Sequence, residues 1–140
     1  MDFYVSAFNS IVEETKTQQG YELPEDVEVY VVMLLASFVT RADFLPDKSF
    51  AQTLLTMKNH RNAKDLGDTC LFVTGVFPTY GNKKGLGVEY YQSIGSSSYS
   101  QTAHVLHPTL FNKLSKHFVF ISDFINASVN SNNSLHNLFK

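Results

Sequence analysis

The segments LGDTCLFVTGVFP (Leu66–Pro78) and VEYYQSIGSSSYS (Val88–Ser100) decide the fold of this chain. Both are apolar with helical spacing, and each carries a glycine, Gly75 or Gly95, inside the helical pattern. Such a glycine costs a helix about 1 kcal/mol relative to alanine, so some other interaction must offset it. The simplest account is a close crossing of helices where the two side chains are missing. Pro78 is expected to end the first of these helices.

The remaining segments predict further helices around this pair. The apolar segment Pro24–Ala42 begins with a proline and three acids, which favour a helix start, and predicts a buried central helix. Another helix is predicted to begin near Pro108. Its apolar stripe would contain Leu110, Leu114, Phe118, Ile121 and Ile125. Glycine content predicts a loop at Tyr80–Gly87. We therefore expect an all-α, single-domain compact bundle of five to six helices over residues 1–128, followed by an Asn/Ser-rich tail over residues 129–140.

Composition limits the classes of function. The chain has 140 residues and a net charge of -2, which argues against nucleic-acid binding because that binding depends on phosphate neutralisation. Charged residues make up 17% of the chain, against about 25% in soluble domains, which favours association between proteins. The longest apolar run, Val29–Val39, is about half a membrane span, so no membrane association is expected. A basic leader is lacking and Cys70 is the single cysteine, which together predict a cytoplasmic protein with a buried thiol.

A second hypothesis gives the missing side chain at Gly95 a different role. The notch there could be the floor of a pocket for a small ligand. The walls would be the neighbouring tyrosines Tyr90, Tyr91 and Tyr99. The polar group facing the ligand would be one of Arg41, Asp68 and Glu89. These residues are distant in sequence, so the hypothesis requires the fold to bring at least two of them to one rim.

Titratable side chains are scattered and form no motif of known chemistry. His104 and His107 are spaced to share a helix face, but a metal site needs further ligands, so capping or solvated roles are favoured and no metal or cofactor is expected. His117 lies beside the apolar stripe and is interpreted as a packing residue. Asp68, four residues after Lys64, suits a capping or ion-pair role near a helix start.

These segments resemble a family of small, uncharacterised, all-helical bacterial proteins. The resemblance covers most of the chain and is most specific at Leu66-Gly67-Asp68, at Gly75-Val76-Phe77-Pro78, and at Tyr90-Tyr91 followed by Gly95 and Tyr99. Glu89 stands where the family pattern has an aspartate before the paired tyrosines, which keeps the charge and changes its reach. The resemblance implies a helical fold and a bacterial origin. It transfers no activity and no catalytic residue.

Two hypotheses of function follow from the sequence. The first is a non-enzymatic protein that acts by association with itself or with another protein, with a homodimer as the commonest outcome. The second is a small-ligand binder or an enzyme that uses the tyrosine-lined pocket near Gly95.

Overall fold

The computed structural model describes residues 3–20, 22–39, 60–82 and 85–130, and within them the chain is all-α. Six helices follow one another in this part of the chain: α1 Phe3–Gln19, α2 Glu25–Val39, α3 His60–Val76, α4 Val88–Ala103, α5 Pro108–Lys116 and α6 Phe118–Asn130. They pack around one core, which confirms the predicted compact helical bundle.

Helix ends follow local chemistry. Gly20, at a φ of +72°, donates its N–H to the carbonyl of Lys16 and closes α1. Helix α2 begins directly after Pro24, and its first turn is acidic. Helix α3 ends at Val76, two residues before Pro78. In the loop that follows, Gly81 and Gly85 both have positive φ, as the glycine content predicted.

The centre of the bundle is α3, which corrects the expectation that the Pro24–Ala42 segment would occupy it. Every residue from 66 to 76 is buried, and α3 packs against both α4 and α6. Helix α2 instead lies at the periphery, where Val29 and Met33 are 58% and 53% exposed. Because α2 is apolar on nearly all sides, its sequence does not indicate which face is exposed to solvent. Small side chains let α3 approach two neighbours closely, which favours the central place.

Both glycines lie at close helix crossings, as predicted. A Cβ on Gly95 would overlap the ring of Phe118 and lie 2.8 Å from the Cβ of Cys70. A Cβ on Gly75 would lie 2.6 Å from Cγ2 of Ile125. The missing side chain at Gly95 therefore makes room for α3 and α6, and the one at Gly75 makes room for Ile125 of α6.

The C-terminal region forms two helices where one was predicted. His117 separates α5 from α6 with a φ of -106°, yet the backbone hydrogen bonds from His117 to Lys113 and from Ile121 to His117 continue across the break. The apolar stripe therefore keeps its face, with Leu114, Phe118, Ile121 and Ile125 all buried. His117 itself is exposed, so its interpretation as a packing residue is wrong.

Local chemistry also fixes the remaining helix ends. His104 and His107 are exposed, as expected, and occupy the C-cap position of α4 and the N-cap position of α5, but His107 makes no side-chain capping hydrogen bond and the two do not share a helix face. Helix α6 continues to Asn130 with Val129 buried, slightly past the boundary expected at residue 128. Residues 131–140 of the expected tail lie outside the described residues.

Candidate functional site

A buried carboxylate with three hydrogen-bond donors is the main polar feature of the core. Asp68 Oδ1 accepts hydrogen bonds from the hydroxyls of Tyr30, at 2.5 Å, and Tyr99, at 2.7 Å. Asp68 Oδ2 accepts a hydrogen bond from Lys64 Nζ at 2.9 Å. We call these four residues the Asp68 cluster. The expected ion pair with Lys64 is present, but Asp68 lies in the third turn of α3 rather than near its start, so the predicted capping role is wrong.

The Asp68 cluster joins three helices. Lys64 and Asp68 lie on one face of α3 at i, i+4, Tyr30 comes from α2 and Tyr99 from α4. Gly67 makes room for the Tyr99 ring, since a Cβ there would lie 2.7 Å from Cδ1 of Tyr99. The same ring lies 5.8 Å from the Phe111 ring, centroid to centroid. The position of each donor is therefore set by helix packing.

Burial controls the protonation of the cluster. It raises the pKa of Asp68, while the Lys64 charge and the two hydroxyls oppose that rise. Burial, followed by the charge of Asp68, also raises the pKa of Tyr30 and of Tyr99. Both hydroxyls therefore remain protonated at neutral pH and donate hydrogen bonds to the carboxylate. Because Tyr99 is fully buried and both Asp68 oxygens are bonded within the chain, the arrangement stabilises packing and presents no free base or nucleophile.

The other predicted site residues lie elsewhere. Tyr91 packs against Tyr80 and Tyr90, with ring centroids 5.4 Å and 4.9 Å apart, at the loop end of α4. Tyr99 is two turns further along that helix, roughly 12 Å away. Glu89 is exposed in the first turn of α4. Arg41 lies outside the described residues. Of the residues proposed for a pocket, the described part of the structure brings together Tyr90 with Tyr91 and, at a separate place, Asp68 with Tyr99.

The tyrosine-lined pocket expected at Gly95 is not seen in the described part of the chain. Phe118 and Cys70 fill the space against Gly95, so the missing side chain is used for helix packing. Tyr99 is enclosed in the core, where its hydroxyl is committed to Asp68. Tyr30, which α2 contributes to the cluster, was not among the predicted site residues. A tyrosine within an otherwise apolar helix was the available signal, because a buried hydroxyl usually has a polar partner.

An open groove lies on the other side of α4, along its contact with α5 and the start of α6. It has a volume of about 410 Å³. Its lining residues are Glu89, Gln92, Ser93, Ser96, Ser97, Ser115, Lys116, Phe118 and Val119. We call it the serine groove. Ser96 Oγ donates to the carbonyl of Ser115 at 2.8 Å, and Ser115 Oγ donates to the carbonyl of Ser96 at 2.7 Å, so the two walls are tied together.

No group of three or more His, Cys, Asp or Glu side chains among the described residues is arranged to hold a metal ion. None of the helices described is both long and apolar enough to span a membrane. Comparison of the chain with protein-family models, with curated proteins and with solved structures gives no match in any of the three cases.

Proposed function

We propose that the protein acts without catalysis, by associating with a second copy of itself through the outer face of α2. The observation that carries this proposal is the exposure of Val29 and Met33, which lie one helical turn apart. Large apolar side chains grouped on one surface favour burial against a partner. Homodimers are the commonest oligomers, and the low charge content of the chain agrees with association.

The position of this face is well defined. Tyr30, next to Val29, is held by Asp68, so α2 is tied to the centre of the bundle. Two ion pairs of 3.1 Å each also fix α2: Glu28 with Lys16 of α1, and Asp26 with Lys113 of α5. The Glu28 pair lies away from the apolar side chains, whereas Asp26 lies three residues before Val29 and seven before Met33, so its ion pair with Lys113 borders the same face. Under this proposal the Asp68 cluster orients an interaction surface.

A cytoplasmic site of action belongs to the same proposal. Cys70 is a free, buried thiol, and burial raises its pKa. Free cysteines persist in reducing compartments. No nucleic-acid partner is proposed, because the net charge of -2 offers little attraction for phosphates.

Sedimentation velocity over a range of protein concentrations tests the proposal. We expect a dimer fraction that rises with concentration in the wild type and is lost in Val29→Lys. The matched control is Val105→Lys, because Val105 is 59% exposed in the turn after α4 and Val29 is 58% exposed on α2. A monomeric wild type at every concentration would overturn self-association. A Val29→Lys variant that dimerises as well as Val105→Lys would overturn the assignment of the surface.

A further inference from the structure

The serine groove has the size of a small-molecule site. Its volume of about 410 Å³ falls within the range of roughly 300–1,000 Å³ typical of ligand pockets. The Ser93 and Ser97 side chains are exposed on its wall, and their hydroxyls make no hydrogen bond to any residue that the structure describes. Serines in a helix are themselves no evidence of binding, but a nearly buried polar side chain also lines the groove.

That side chain is Gln92, whose orientation is set by a relay of hydroxyls. Thr74 Oγ1 donates to the carbonyl of Cys70 at 2.8 Å, so it accepts the hydrogen bond from Ser122 Oγ at 2.9 Å. Ser122 has thereby used its single proton and can only accept from Gln92 Nε2, 3.4 Å away. The amide nitrogen of Gln92 therefore points to Ser122, and the carbonyl oxygen Oε1 points away from it.

The Oε1 atom of Gln92 is an available acceptor. Gln92 is 8% exposed, and its Oε1 accepts no hydrogen bond from any residue within 3–20, 22–39, 60–82 or 85–130. Every fully enclosed side-chain nitrogen or oxygen in that part of the chain has a partner. Oε1 therefore keeps some exposure, and Gln92 is one of the residues that line the groove. A nearly buried acceptor held in one orientation favours a ligand that brings an O–H or N–H group to it.

The other groups of the groove restrict the ligand further. Glu89 and Lys116 contribute opposite charges that sum to zero, so neither an anion nor a cation is favoured overall. The hydroxyls of Ser93 and Ser97 can each donate and accept. Val119 supplies an exposed apolar edge, next to the almost fully buried Phe118. Sugars and polyols combine hydroxyl groups of both capacities with apolar C–H faces, and they carry no net charge.

We propose that the serine groove binds a small, uncharged polyhydroxylated molecule through Gln92 Oε1 and the hydroxyls of Ser93 and Ser97. The site lies on α4 and is separate from the α2 face proposed for self-association. Either proposal can therefore fail without the other.

Titration of the ¹⁵N-labelled full chain with D-glucose, followed by two-dimensional NMR, tests this site. We expect saturable shifts of the Gln92 side-chain amide signals and of the backbone amides of Ser93 and Ser97. Ser97→Tyr should fill the groove and weaken the apparent affinity by about tenfold or more. Ser100→Tyr is the matched control, because Ser100 is an exposed serine of α4 that does not line the groove, and it should bind as the wild type does.

Titrations with glycine and with inorganic phosphate complete the experiment. Saturable binding of D-glucose at the groove signals, with weaker or no binding of the charged probes, supports the proposal. Preferential binding of glycine or phosphate there would overturn the ligand class. The absence of saturable shifts with D-glucose in the wild type would overturn the site, and this result does not depend on the folding of either variant. Equal glucose binding by Ser97→Tyr and Ser100→Tyr would also overturn the assigned location.

Discussion

The Tyr99 hydroxyl of α4 donates a 2.7 Å hydrogen bond to Asp68 Oδ1 of α3, in the interior of the bundle. Tyr30 of α2 donates to the same oxygen, so one carboxylate oxygen joins three helices. Burial disfavours the charge of Asp68, and these donors together with Lys64 compensate for it. Removal of any one donor should therefore destabilise the fold, because the buried charge of Asp68 would lose a partner.

Replacement of Tyr99 with Phe should destabilise the fold. The variant removes one donor to a buried carboxylate, and we expect the free energy of unfolding to fall by about 1–3 kcal/mol, measured by urea denaturation. Tyr90→Phe is the control, because the Tyr90 hydroxyl makes no hydrogen bond to the described residues, and its effect should stay within about 0.5 kcal/mol. Equal losses in the two variants would contradict a specific role for the Tyr99 hydroxyl.

Replacement of Gly95 with Ala should also destabilise the fold, although alanine favours helix formation by about 1 kcal/mol. The new methyl group would overlap the Phe118 ring and the Cβ of Cys70, and such overpacking costs about 1–3 kcal/mol. Ser100→Ala, at an exposed position on the same helix, should be neutral or slightly stabilising. Thermal unfolding of the three proteins checks this prediction. A Gly95→Ala protein as stable as Ser100→Ala would show that the crossing can relax.

Stability should fall at alkaline pH. The pKa values of Tyr30 and Tyr99 are raised in the folded chain. At a pH between the ordinary tyrosine pKa and the raised one, the unfolded state loses these protons and the folded state keeps them. Their contribution is therefore complete below about pH 10 and decreases as pH rises above it. Tyrosinate absorbance from these two residues should appear only together with the loss of helical circular dichroism. In Tyr99→Phe, the unfolding free energy should decrease less steeply with pH.

The Cys70 thiol should be unreactive in the folded protein. Burial raises its pKa, so the nucleophilic thiolate is scarce, and the side chain is enclosed in the core. A colorimetric disulfide reagent should modify no thiol under native conditions and one thiol per chain in urea. Cys70 packs against Gly95 where α3 and α4 cross. Rapid modification without urea would therefore mean that this crossing opens readily.

Local patterns were sufficient for much of the architecture. The glycines at positions 75 and 95 predicted close crossings because a helix tolerates glycine where the missing side chain makes room. The break at His117 could not be predicted, since the apolar stripe keeps its register across it. For the candidate site, Asp68 and Tyr99 were both identified, but their pairing and the contribution of Tyr30 required knowledge of which helices meet.

The amino-acid sequence by itself determined the class of fold, because helix periodicity, capping residues and turn glycines act over a few neighbouring positions. Tertiary structure alone decided that α3 occupies the centre, that Val29 and Met33 face outward, and that Gln92 lines the serine groove. These features depend on contacts between residues far apart in the chain, such as Gln92 with Ser122 and Tyr30 with Asp68. No local pattern encodes such contacts, since each depends on which helix faces meet and which donors are already used.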